Sequence, residues 1–358
     1  MDFTPTDTEL EVARLAAQVL DGSGREVSPG HDGAAADLDS ATWKELAQAG
    51  LLALALPTTL GGDGLGVMET AAVLTEVGKH AARVPAVATL ALGVLPVTRL
   101  ASAAVQQQVL AGVAAGETIL TAAIREPSDP MPLTPLTVTE SGTISGVKVG
   151  VPYAAAARWI LVPASLPGGG SRVAVVAADA DGLSLQRTHT SSGAPEYTLR
   201  LDHAPVSHLL EADAVPELYR LTVAGACCVA DGAVTAALAL TTGYIATREQ
   251  FGRPLATFQS AAQQIADVYI TARTLHLAAL SACWRLASGL DAGADVDVAG
   301  YWLAEHAPVA LRACHHLHGG IGMDVTYPLP RYSALVTDLV SLVGGAGYRL
   351  DLLAAREG

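Results

Sequence analysis

Apolar residues recur at helical spacing from Thr8 to about Gly116. Val12, Leu15, Ala16, Val19 and Leu20 mark one face, and Val105, Val109 and Val113 another. Asp39 or Ser40 is placed to cap the segment holding Trp43 and Leu46, since a short side-chain oxygen there accepts an amide hydrogen that a helix start leaves unpaired. The run LPTTLGGDGLG (56–66) is a glycine-rich connection, with Asp63 ahead of the next helix. After Gly116 the period shortens. The runs TVTESGTISGVKV, RWILVPA, RVAVVA and YTLRLDH stand between clusters of Gly, Pro and Ser, and Tyr197, Leu199 and Leu201 alternate with Thr198, Arg200 and Asp202 as in a strand with one buried face. Glu140-Ser141-Gly142 suits a hairpin turn. From about Pro216 helical spacing returns and predicts helices over 218–247, 258–288 and 298–317. The order of helices, strands and helices predicts a mainly α protein with a middle β domain, divided as 1–117, 118–212 and 213–358.

Composition sharpens this picture. A chain of 358 residues has room for two or three domains. Aromatics are only 4%, so Ala, Leu and Val fill the apolar positions and favour close-packed helices. A formal charge of −14 opposes both a nucleic-acid backbone and an anionic membrane surface, so neither is expected as a partner. The apolar windows 85–97 and 223–240 are interrupted by prolines, threonines or Asp231 and read as buried helices. The first residues carry early acids and no basic segment followed by an apolar run, which points to the cytoplasm. Cys227, Cys228, Cys283 and Cys314 form no CxxC pair and read as reduced core thiols. His315, His316 and His318 lack a carboxylate or Cys to complete a ligand set, so no metal is expected.

Specific motifs stand on this frame. REQFGRPLATFQ (248–259), HLHGGIGMDVTYPL (316–329), LRLDHAPVS (199–207) and GGDGLG (61–66) follow one another in the order and spacing of the acyl-CoA dehydrogenases, which the chain resembles over nearly its whole length. The resemblance implies an N-terminal helical domain, a β-barrel-like middle domain ending in the LRLDHAPVS strand, and a C-terminal four-helix bundle. It also implies FAD as cofactor. Arg248 would bind the pyrophosphate, Phe251 would pack on the adenosine side, and Gln259 would hydrogen-bond the cofactor. Gly319, Gly320 and Gly322 would admit its close approach, with His316 where many relatives have Gln.

The same resemblance locates departures. A dehydrogenase of this family removes the α-proton of a thioester with a carboxylate while hydride leaves to the flavin. One family position for that base falls in VGGAGYR (343–349), on Gly344 or Ala346, and the other falls on Thr222; neither is acidic. Glu217 and Asp231 are the nearest acids to Thr222 and are displaced by more than a turn. Around the flavin ring relatives have Thr-Glu-Pro and Trp-x-Thr, where this chain has Arg125 in the first Thr position and Gly150 and Pro152 in place of Trp and Thr. No catalytic residue is therefore assigned. The pattern resembles the non-catalytic subunit of actinobacterial heterotetrameric acyl-CoA dehydrogenases, whose partner supplies the base. It implies a second dehydrogenase subunit, an acyl-CoA substrate in the assembled complex and an electron-transfer acceptor. A homomeric enzyme with a relocated base and a flavin-free scaffold subunit stand as alternatives.

Overall fold

The computed structural model describes residues 3–22, 38–211 and 214–357. The N-terminal helices are α1 (Asp7–Gly22), α2 (Ser40–Gln48), α3 (Val67–Lys79), α4 (Leu95–Leu100) and α5 (Ala103–Val109). Asp39 caps α2 by accepting the Thr42 N–H at 3.0 Å. At α3 the cap is Gly66 rather than Asp63, and Glu69 reaches back to accept the Gly66 N–H at 3.0 Å. A π-helical stretch, Val87–Val94, leads into α4, whose Pro96 lacks the amide hydrogen a regular turn would use.

The strands are β1 (Leu120–Ala122), β2 (Val138–Glu140), β3 (Thr143–Pro152), β4 (Trp159–Ser165), β5 (Ser171–Ala177), β6 (Leu183–Thr188), β7 (Glu196–Pro205) and β8 (His208–Leu209). They form one sheet in the order β6-β7-β3-β2-β4-β5-β8, with β1 parallel to β4. β2 and β3 are joined by Ser141-Gly142, both at positive φ, so the hairpin turn is of the primed type that matches strand twist. The LRLDHAPVS segment forms most of β7 but is followed by β8, so it is not the last strand. The proposed limit between residues 212 and 213 lies outside the described residues.

Then come α6 (Ala214–Thr247), a short hairpin of β9 (Glu249–Gln250) and β10 (Arg253–Pro254), α7 (Gln259–Ala287), α8 (Gly293–Tyr301), α9 (Ala307–His318), α10 (Leu329–Leu342) and α11 (Gly345–Glu357). The single helix expected over 298–317 is divided between α8 and α9 by a π turn at Trp302–His306, just ahead of Pro308. α6 is long and apolar enough to cross a membrane by length and composition, yet 72% of its most apolar window is buried inside the fold. It packs on α3, α7, α8, α9 and α10. All four cysteines are buried as free thiols, and burial pushes the Cys227 thiol far above its ordinary range.

The α3–α6 crossing permits no side chain at two points. A Cβ at Gly78 of α3 would collide with the Val229 carbonyl, and one at Gly232 of α6 with the Thr75 carbonyl. Both neighbours are backbone and cannot rotate away, so the helices meet main chain to main chain. Gly232→Val is expected to destabilise the fold by about 3 kcal/mol or more, the upper end for overpacking. Gly243→Ala, on the same helix with open space around it, should leave the thermal unfolding midpoint unchanged or raised. Equal midpoints for Gly232→Val and wild type would refute the tight crossing.

Candidate functional site: an exposed cofactor-arm surface and a filled ring side

The first motif lies where α6 ends. Arg248 is exposed, and the β9–β10 hairpin turns on Phe251-Gly252 at φ of 53° and 77°. Gly252 adopts this region freely, but a bulky residue there is strained. The Phe251 side chain is also 93% exposed, meeting Phe258 edge-on at 6.2 Å between centroids. Gln259 opens α7 and is exposed; His316 is exposed in the last turn of α9. A small buried cluster of Ile245, Ala261 and Leu317, ringed by Tyr244, Leu255, Phe258 and Ile265, draws these three helix ends together. Arg248, Gln259 and His316 each lie within three residues of a member of that cluster. None of the three makes a side-chain hydrogen bond among the described residues. Gly319 and Gly320 are exposed, with nothing near the position of a Cβ, so their backbone is open to close approach. Gly322 differs: it is buried, and a Cβ there would stand 2.9 Å from that of His318.

The three histidines occupy different environments. His315 donates from Nδ1 to the Gly322 carbonyl at 2.8 Å, so its Nε2 accepts from the Ser333 hydroxyl at 2.6 Å; this His holds the glycine turn. His316 faces outward. His318 is 4% exposed, donates from Nδ1 to the Cys314 carbonyl at 2.8 Å, and has no partner at Nε2 among the described residues. Burial holds its pKa below the ordinary value, so the ring is neutral and Nε2 is an acceptor. A buried polar atom left unpaired costs about 1–3 kcal/mol. The sequence raised His318 only as a metal ligand and set it aside; the signal for a different role was its position between Leu317 and the glycine pair, together with Tyr244 one turn before Arg248.

The ring side is organised differently. Glu126 and Lys148 form a buried ion pair at 2.8 Å, and Glu126 also accepts the N–H groups of Leu136 and Thr137 and the Thr137 hydroxyl. Burial pushes the Glu126 carboxyl up, but Lys148 and the two amides outweigh it and its pKa lies below the usual value. This pair fastens the 125–137 segment to β3. Two residues on, β3 carries a bulge: Lys148 pairs with Leu199 and Val151 with Tyr197, leaving Gly150 at φ 65° between them. A Cβ at Gly150 would lie 2.5 Å from Arg125 Nη1 and 3.4 Å from Glu196 Oε2. The Arg125 guanidinium therefore fills the space that a side chain at position 150 would take. Burial raises the pKa of Glu196 even though Thr188 and Arg125 oppose it. Pro152 offers no N–H, and its carbonyl accepts the Thr121 hydroxyl at 2.6 Å.

Of the positions where the resemblance would place a base, Thr222, and Gly344 or Ala346, Thr222 is fully buried and donates its hydroxyl to the Leu218 carbonyl. Gly344 has φ 91°, and a Cβ there would stand 2.8 Å from Pro130 Cβ and 2.7 Å from Tyr348 Cδ1. The space around it is further closed by Tyr348, bonded to the Met131 carbonyl, and by buried Arg349, bonded to the Val343 carbonyl and Asp297. Glu217 is held by Arg99 and Arg220, and Asp231 is buried against His276 at 2.9 Å. Asp338 accepts the amides of Ser191 and Ser192, which makes it a tie between α10 and the β6–β7 loop.

Helices before and after a middle β sheet, in this order and connection, define a scaffold of the flavin-dehydrogenase type. The family model described as acyl-CoA dehydrogenase, N-terminal domain matches residues 6–117, and that described as acyl-CoA dehydrogenase, C-terminal domain matches 219–356. Acyl-CoA dehydrogenase FadE28 of Mycobacterium tuberculosis (strain ATCC 25618 / H37Rv) is 47% identical over 358 residues, covering 99% of each chain. A chain of a variant of the Tcur3481-Tcur3483 steroid ACAD superposes with TM-score 0.91 at 34% identity, covering 97% of this chain and 96% of that one. A chain of the ChsE4-ChsE5 complex from Mycobacterium tuberculosis gives TM-score 0.91 at 31% identity, covering 100% and 99%. Butyryl-CoA dehydrogenase from Megasphaera elsdenii shares the fold at TM-score 0.89 and 20% identity. The chain belongs to the acyl-CoA dehydrogenase family.

Packing around Gly344 generates a test. Gly344→Glu should lower the thermal unfolding midpoint and produce no dehydrogenase turnover in the isolated chain, because the new side chain meets Pro130 and Tyr348 at a backbone angle L-residues resist. A stable, active Gly344→Glu protein would show that the space can open and that only the acid was missing.

Proposed function

We propose that this chain is the subunit of a heteromeric acyl-CoA dehydrogenase that completes the FAD site of a catalytic partner and supplies no base of its own. The observation that carries the reading is the contrast between its two half-sites. On the arm side a free cation, a bare strained aromatic, an open glycine pair and an orphaned imidazole nitrogen converge, which fits a dinucleotide. On the ring side Arg125 and Glu196 occupy the ground beside Gly150, and Pro152 replaces a donor, which does not fit an isoalloxazine. FAD, when bound, supplies the acceptor for the β-hydride of an acyl-CoA thioester.

In this reading Arg248 neutralises the pyrophosphate, Phe251 covers the adenosine side, Gln259 and His316 hydrogen-bond the cofactor, and Gly319 and Gly320 let it approach the backbone. Gly322 contributes by making room for His318. The partner holds the ring, binds the acyl-CoA and passes electrons to an acceptor, and the assembly is a tetramer of two kinds of chain in the cytoplasm. Likeness to chains of two complexes each named for two proteins supports the mixed assembly. Likeness to a chain of a steroid ACAD supports a steroid CoA thioester as the substrate class. A homomeric enzyme with a relocated base has less support, because Glu217 and Asp231 are already engaged by Arg99, Arg220 and His276.

The isolated chain should purify without stoichiometric flavin, and co-expression with a dehydrogenase chain that retains a Glu base should give a four-chain species by native mass spectrometry. A yellow, active homomer would refute the reading. In that complex Arg248→Ala should weaken FAD binding roughly tenfold or more, since hydrogen bonds to charged groups are worth about 1.5–3 kcal/mol, while excess FAD should restore turnover. Unchanged affinity in an assembled complex would mean that Arg248 is a surface residue.

A further inference from the structure

We infer that His318 is a second anchor of the arm side: an uncharged hydrogen-bond acceptor for a donor on the adenosine end of FAD, either the adenine amine or a ribose hydroxyl. The inference rests on the reading above and adds a residue and a polarity to it. Three observations carry it. The imidazole is fixed in place, stacked on Tyr244 at 4.5 Å and 18° between planes, tilted against Tyr327 at 5.3 Å, and pinned through Nδ1 to the Cys314 carbonyl. Its other nitrogen is buried and has no partner, so a lone pair is held where it cannot rotate toward water. Finally, Tyr244 accepts the Arg248 amide at 2.8 Å, which puts the stack one helical turn from the cation assigned to the pyrophosphate.

The chemistry of the lone pair selects the part of FAD it meets. Because Nδ1 donates to a carbonyl and burial disfavours the imidazolium, Nε2 accepts and does not donate. A pyrophosphate presents only acceptors and gains nothing from such a group. A hydroxyl or amine beside it supplies the missing hydrogen. The two residues then divide the arm between them, with Arg248 reading charge and His318 reading a donor. A buried acceptor also rejects a dinucleotide that lacks the donor, because the lone pair is then left unpaired.

The test uses the assembled complex and follows FAD binding by flavin fluorescence, with no turnover needed. Four dinucleotides are compared: FAD, FAD with hypoxanthine for adenine, and FAD with a 2′-deoxy or a 3′-deoxy adenosine ribose. Wild type should bind one of the three analogues about threefold to tenfold more weakly than FAD, and which one identifies the donor. His318→Phe keeps a stacking ring and loses the acceptor, so it should bind FAD more weakly and lose the discrimination. His318→Gln places a carbonyl oxygen at similar reach and should recover part of it. Equal binding of all four dinucleotides to wild type overturns the inference, as does a His318→Phe complex that discriminates as wild type does. Should His318→Phe not assemble, the wild-type series alone decides. Arg248→Ala, run in parallel, separates the two failures. If it weakens FAD binding while the His318 arms show nothing, only the His318 inference falls; if it too changes nothing, the half-site reading falls with it.

Discussion

Everything at the candidate site hangs on the contact between α3 and α6, where two backbones touch because Gly78 and Gly232 carry no side chain. A glycine inside a helix is locally unfavourable by about 1 kcal/mol relative to alanine, so its retention in the middle of a 34-residue helix calls for a packing reason. Here the reason is distance: only bare backbone lets the N-terminal helices and α6 lie this close. α6 is thereby locked over most of its length, with Thr222 buried near one end and Arg248 emerging at the other. The position of the cation is a consequence of helix packing rather than of the loop in which it sits. The same rigidity fixes Tyr244 and, through it, the ring of His318.

A second fixed point lies in the β domain. Removing either partner of the Glu126–Lys148 pair would leave an uncompensated charge in the interior, which is why such pairs resist single substitution. The pair holds the 125–137 segment in register with β3. Because Gly150 has no side chain, the Arg125 guanidinium lies against it with Glu196 alongside, and burial raises the Glu196 pKa although Arg125 opposes it. An interior close-packed to this degree does not keep an empty cavity when a long neighbouring side chain can enter it.

Much of the fold was legible in the sequence because it is written in local periodicity. The alternation at Tyr197, Leu199 and Leu201 is β7, the Ser141-Gly142 turn is where a primed hairpin needs positive φ, and Asp39 caps α2. The divided helix between α8 and α9 was missed, since a π turn ahead of Pro308 leaves the apolar spacing almost unchanged. At the site, single residues were readable one at a time: Arg248, Gln259 and the glycines each carry a recognisable type at a recognisable spacing. What was not readable is complementarity between distant residues. Nothing local ties Arg125 to Gly150, Pro130 to Gly344 or His318 to Tyr244, and these pairs distinguish a filled half-site from an open one.

Phe251 argues most directly for a surface that is finished by something else. A bulky side chain at positive φ is unfavourable, by about 1–3 kcal/mol for sparsely populated backbone regions, and an aromatic ring left in water forgoes its burial free energy as well. Asn or Gly at that turn position would relieve the strain without altering the hairpin. Among the described residues the ring contact of Phe251 is the edge-on one with Phe258, which itself lies under the Arg253 guanidinium at 4.1 Å. The isolated fold therefore gains little from the residue that strains it. The balance changes when a planar or apolar group covers the ring, because burial of an aromatic outweighs a strain of this size. Under the proposed function that condition would be met by the adenosine side of a dinucleotide, its pyrophosphate held at Arg248, three residues away. The same condition accounts for a cation, an aromatic and a glycine pair that the fold leaves exposed near three helix ends, while Arg125 closes the space beside Gly150.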